Sequence, residues 1–153
     1  MGGHPYWYVV PYEKDVNAAL QKLREREFKA GRYNPVTPFP ESPVDLTRPS
    51  PGAQHTDYDD AFEDADADGT RSIVDMMGGI TPKPWARGAP AHAMVSRVGD
   101  ADLIQWFGTA KPPLDMVEDG EFWDDIERGC GIYIVIYDGD RPEHLFFAGY
   151  SFD

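Results

Sequence analysis

The order of apolar and polar residues predicts where this chain forms elements. Residues 6 to 12, YWYVVPY, are aromatic and β-branched and end near a proline, a pattern for a short strand leading out of a sheet. From Asp15 the period changes. Val16, Ala19, Leu20 and Leu23 recur at three- and four-residue spacing, with Asp15 placed to cap and Gly31 to terminate, so the spacing predicts a helix over 15–30. Its other face holds Lys22, Arg24, Glu25, Arg26 and Lys29 and reads as a solvated face with local ion pairs.

Residues 34–52, NPVTPFPESPVDLTRPSPG, contain six prolines, which remove backbone donors and bias each preceding residue away from helix. A long Pro-rich connection over the surface is expected, although RPSP also has the spacing of a polyproline ligand. GGITPKPWARGAP, 78–90, is again loop chemistry, and HAMVSRV, 92–98, suits a short strand. GDADLIQWFG, 99–108, reads as a helix capped by Asp100 or Asp102. Residues 112–129 read as a second helix, or a pair split at Gly120, burying Leu114, Val117, Phe122 and Ile126.

The C-terminal stretch GIYIVIYDGDRPEHLFFAGYSFD holds two β-rich runs, 131–137 and 144–150, joined by a turn around Asp138 and Gly139. The first run is apolar on both faces, Ile132, Ile134 and Ile136 on one and Tyr133, Val135 and Tyr137 on the other. It therefore belongs inside a sheet covered on both sides. Together these elements predict a single α+β domain over 1–153. Its mostly antiparallel sheet contains the N-terminal strand and the C-terminal hairpin, packed by the 15–30 helix and by helices near 100–128. No repeat of 20 to 50 residues appears.

A chain of 153 residues buries roughly two-thirds of its unfolded surface, enough for a real core. A single cysteine, Cys130, rules out an intrachain disulfide, and no paired C-x-x-C spacing marks a structural zinc site. With no basic and apolar leader pattern and no apolar run near the roughly 20 residues of a membrane span, a cytoplasmic location is expected. The formal charge is −13, from 27 acids against 14 bases, which repels nucleic acids and anionic membranes alike. The charge is uneven. Residues 100–153 carry 13 acids and only Lys111, Arg128 and Arg141 as bases, whereas 12–33 carry six bases and four acids. The acidic half is suited to a basic protein partner, or simply to keeping the surface hydrated.

One stretch comes closest to a functional motif. DADADGTRSIVD, 64–75, places Asp64, Asp66 and Asp68 at positions 1, 3 and 5 of a calcium loop, Gly69 at the sixth, the Thr70 carbonyl at the seventh and Asp75 at the twelfth. Ser72 falls at the ninth, where a water-mediated ligand is usual. Ala61 and Phe62 would belong to an entering helix and residues 73–77 to an exiting one. Against calcium stand the short Asp75 in place of a glutamate, Arg71 at the usually apolar eighth position, and the lack of a second loop. The alternative is an acidic helix end or turn, since 57–75 holds eight acids in any case.

Catalytic constellations are sparse. The chain has no G-x-S-x-G, P-loop, G-x-G-x-x-G or H-E-x-x-H sequence. A cysteine nucleophile needs a base beside it, and a symmetric hairpin puts His144 opposite Tyr137, about 23 Å from Cys130 at the usual strand rise. His55 or His92 remain able to reach Cys130, which otherwise reads as a buried, inert thiol at the start of a core strand. Trp7, Trp85, Trp106 and Trp123 suit either a sugar or peptide groove or the core, with Trp85 expected at the surface.

PYEKDVNAALQKLREREFKAGRYNP and GIYIVIYDGDRPEHLFFAGYSFD resemble a set of small uncharacterised bacterial proteins with no assigned activity. The resemblance covers about a third of the chain and implies only a bacterial, cytoplasmic, single-domain protein. The functional expectation is an acidic interaction protein without catalytic activity, an inhibitor or immunity-type partner of a basic target. It is set beside a calcium module on Asp64, Asp66, Asp68, Thr70 and Asp75 and a small hydrolase or transferase using a carboxylate and a histidine.

Overall fold

The computed structural model describes residues 3–37 and 50–153, so the expectation for the middle of the proline-rich stretch, 38–49, lies outside the described residues. Four strands, β1 Pro5–Pro11, β2 Val95–Arg97, β3 Gly131–Asp138 and β4 Arg141–Tyr150, form one sheet in the order β1-β4-β3-β2. β4 pairs antiparallel with both β1 and β3, and β2 runs parallel to β3. The sheet is thus mixed by one short strand. β3 occupies an inner position, as its two apolar faces require.

Each face is covered by helix. The helices are α1 Val16–Ala30, α2 Tyr58–Ala65, α3 Asp100–Phe107 and α4 Leu114–Glu118. On one face Tyr6, Tyr8, Val10, Tyr133, Leu145 and Phe147 meet Ala19, Leu20 and Leu23 of α1, with Ile73 and Met76 filling in. On the other, Ile132, Ile134, Ile136, Phe146 and Ala148 lie beneath Leu103 of α3, Val117 of α4, Phe122 and Ile126. A third cluster, Tyr33, Ala61 and Val74 with Phe28 and Phe62, fastens α2 to the end of α1.

Local chemistry accounts for most boundaries. The Asp15 carboxylate accepts the Ala18 N–H at 3.0 Å, and Gly31, at φ 73°, closes α1 in a left-handed conformation that glycine adopts without strain. α3 departs from the expectation: Gly99 precedes it without a side-chain cap, and Asp100 and Asp102 stand in its first turn, where they face the positive end of the helix dipole. The 112–129 segment does split at Gly120. A side chain there would press against the rings of Phe107 and Phe122, and only a single 3-10 turn, Trp123–Asp125, follows. The hairpin turns through Gly139 and Asp140, and an irregularity between Ile136 and Tyr137 sets Ile136, not Tyr137, opposite His144.

The expectation of a solvated polar face on α1 fails at Arg24, and Glu27, one turn on, is buried as well. Arg24 is 4% exposed and Glu27 is fully buried. At Arg24 the chain arriving from 58–76 covers the helix, which no helical period can announce. Arg24 donates from Nε and Nη2 to the Val74 carbonyl at 3.2 and 2.8 Å, with its guanidinium 4.5 Å from the centre of the Tyr58 ring. Glu27 accepts from Arg32 Nε at 3.0 Å and Nη2 at 2.5 Å, and from Arg26 Nε at 3.1 Å. Removing Arg32 leaves the buried Glu27 charge with only the more exposed Arg26 beside it, a poorer compensation. Arg32→Ala is therefore expected to cost about 3 kcal/mol in urea unfolding, while Glu27→Leu with Arg32→Met costs much less; equal losses would show that the pair does not act as a unit.

Candidate functional site

The acidic segment begins with reciprocal capping. Asp57 accepts the Asp60 N–H at 2.8 Å and Asp60 accepts the Thr56 N–H at 3.1 Å, which starts α2 at Tyr58. The expected entering helix is present. On the far side of the loop only a 3-10 turn, Ile73–Asp75, follows, capped by the Ser72 hydroxyl on the Val74 N–H at 3.2 Å. Gly69 sits at φ 68° with its α-carbon so close to the Asp75 carboxylate and the Phe152 ring that any side chain would collide with both.

The five residues singled out for calcium each have other engagements or point elsewhere. Asp64 lies 2.9 Å from His55 Nε2, and Asp68 lies 3.0 Å from Arg71 Nη2. Asp66 is exposed at φ 55°. The Thr70 carbonyl, the ligand of position seven, accepts the Asn34 N–H at 2.8 Å. Asp75 is 1% exposed and takes the Thr70 N–H at 2.7 Å and the Thr70 hydroxyl at 2.8 Å on one oxygen. Its second oxygen is buried without a hydrogen bond. Among the described residues no group of three or more His, Cys, Asp or Glu side chains is placed to hold a metal ion. A bound ion would have to strip these partners away.

Two places join a histidine to other chemistry. The Tyr33 hydroxyl lies 2.6 Å from His55 Nδ1, and Asp64 holds the other ring nitrogen, so a Tyr–His–Asp chain ties the end of α1 to α2. With Asp64 accepting from Nε2–H, Nδ1 accepts the tyrosine proton. His55 and Asp64 border an open groove of about 470 Å³ with Pro35, Val36, Pro51 and Gln54, but Tyr33 is 1% exposed, so its hydroxyl serves the tie and not the groove. At the second place, Cys130 Sγ is 3.7 Å from His92 Nδ1, the approach that the sequence left open. Burial, helped by the charge of Glu127, pushes the Cys130 thiol up to about 11. A thiol in that setting is protonated at neutral pH and a poor nucleophile. The niche beside it, bounded by Trp85, Ser96, Asp125 and Glu127, measures about 10 Å³, room for one water.

The four tryptophans form a feature that sequence reasoning left dispersed. Trp85 packs on Trp106 at 5.1 Å, Trp106 on Phe122 at 5.5 Å, Phe122 on Trp123 at 5.1 Å, and Trp123 on Trp7 at 5.6 Å. All four, Trp85 included, are half-buried on one side of the sheet. The alternation along β1 assigns Trp7 to that face; nothing in the local sequence of Trp85 does. Over this cluster α3 and α4 turn Ile104 and Met116 outward, 53% and 40% exposed. Compared with known proteins, the chain matches no family model, no curated protein and no solved structure.

Two outcomes test the loop. Burial raises the Asp75 carboxyl from the ordinary 3.8 to about 6, against the opposing pull of the Thr70 donors, the Arg71 N–H and the Arg24 charge. A raised folded pKa means stability that is complete below 3.8 and lost as pH climbs through about 6. The native protein is thus expected to gain roughly 2 kcal/mol between pH 7 and 4 that Asp75→Asn does not gain, measured as the difference between their unfolding curves; parallel curves would refute it. Second, millimolar calcium is expected to leave the melting temperature where EDTA leaves it. A rise that Asp64→Ala with Asp68→Ala abolishes would instead reveal a site made by rearrangement.

Proposed function

We propose that this protein works by binding, as an acidic inhibitor- or immunity-type partner of a basic protein. The observation that carries the reading is how the chain uses its own cations. Lys22, Arg26, Lys29, Arg32, Arg71, Arg87 and Lys111 all pair with its own acids, and Arg24 is buried on the Val74 carbonyl. Exposed carboxylates, Asp64 and Asp68 among them despite their local pairs, are concentrated in two runs. Asp57, Asp59, Asp60, Glu63, Asp64, Asp66 and Asp68 are all exposed, as are Asp115, Glu118, Asp119, Glu121 and Asp124.

Such runs repel anionic partners and steer cationic ones, raising the rate of encounter while setting register. No long-range attraction of this kind survives high salt, because the screening length falls from roughly 14 Å at about 50 mM to about 4 Å at about 500 mM. Immobilised protein is expected to retain basic proteins from a cell extract at about 50 mM salt and release them at about 500 mM. Retention of acidic proteins, or retention indifferent to salt, would sink the reading.

A further inference from the structure

Resting on that reading, we propose that the surface formed by α3 and α4 is the docking site for a cationic amphipathic helix of a partner protein. The apolar centre comes first. Ile104 and Met116 are among the few large apolar side chains exposed, and each stands on a helix that roofs the same sheet face. On the same side of the sheet Trp106 and Phe107 are only half-buried, with Trp106 stacked on Phe122 and Phe107 reaching Gly120 just past the end of α4. Aromatic residues and methionine at the centre of a patch, with charge at its edge, is the composition of a protein interface.

The edge selects the occupant. Asp100, Asp115, Glu118 and Asp119 are exposed on or beside the two helices, and Lys111 between them is engaged by Asp140 at 3.0 Å. A second copy of a chain carrying −13 would set acid against acid, and nucleic acid or an anionic bilayer would be repelled in the same way. An added strand finds no place here, because the nearby edge strand β2 already takes the Thr81 and Trp85 N–H groups on its carbonyls at 3.0 and 2.7 Å. What remains complementary is a helix with apolar side chains along one stripe to cover Ile104 and Met116, and Lys or Arg flanking it to match the acids.

The test titrates the full chain with a fluorescent Leu/Lys amphipathic peptide and with an oligolysine of equal charge, read by anisotropy at low salt. The amphipathic peptide is expected to bind about tenfold tighter than oligolysine, and Ile104→Asn with Met116→Gln to erase that tenfold while leaving oligolysine binding unchanged. Melting curves confirm that the variant is folded, which exposed positions favour. Asp115→Asn with Glu118→Gln and Asp119→Asn is expected to weaken both peptides and to flatten their salt dependence. Equal affinity for the two peptides, unmoved by the apolar variant, would overturn this docking site and leave the acidic-partner reading standing. Failure of both peptides to bind at low salt would overturn both.

Discussion

A strand with no polar face cannot lie at a surface, and β3 has none. Ile132, Ile134 and Ile136 belong to one core cluster and Tyr133 and Val135 to the other. At about 25 cal/mol for each Å² of apolar surface withdrawn from water, leaving either face open would cost several kcal/mol. Cover on both sides is therefore a condition of folding, and the rest of the architecture supplies it. α1 takes one face. The two short helices and the Trp123–Asp125 turn take the other, and their brevity is compensated by aromatic mass, since Phe122, Trp123, Trp106 and Phe107 fill volume that longer helices would otherwise occupy.

The same constraint explains the buried charges. Covering α1 from outside brings in the segment 70–76, whose irregular backbone has carbonyls that helix and sheet cannot satisfy. Arg24 answers the Val74 carbonyl, Asn34 answers those of Thr70 and Gly69, and Asp75 answers the Thr70 N–H. The acidic loop thus folds inward at its end and outward at its start. Asp75 serves as an internal acceptor that holds the turn, whereas Asp64 and Asp68 face solvent and pair locally. A ligand pattern in sequence carries no information on which side of a loop each carboxylate falls.

That difference marks what was legible. Helix α1, the hairpin, the inner position of β3 and the break at Gly120 each rest on local signals, namely a period, a cap, a turn residue or a face count. The parallel pairing of β2 is different, because three residues from Val95 to Arg97 carry no mark of the strand they join. Arg24 is illegible for a related reason: its burial is tied to Val74, 50 positions away along the chain. The one-residue offset at His144 follows from an irregularity that only the pairing itself creates. At Cys130 the reading of a buried thiol agrees with its 7% exposure, while the nearby His92 comes from a loop without periodicity.

Sorting the carboxylates by what they do for the fold isolates those left for function. Asp15, Asp57 and Asp60 cap helices, Glu27 and Asp75 are buried acceptors, and Glu13, Glu25, Asp125 and Asp140 neutralise bases. Asp59, Glu63, Glu118, Asp119 and Glu121 make no ion pair among the described residues. Their mutual repulsion lowers stability, and a neutral polar residue at each position would hydrate the surface as well at less cost. A two-sided core can carry that cost. Glu118, Asp119 and Glu121 lie on or just beyond α4, so on that flank carboxylates and the exposed Met116 fall together, and it is this juxtaposition of charge with apolar surface that the proposed docking of a cationic amphipathic partner rests on.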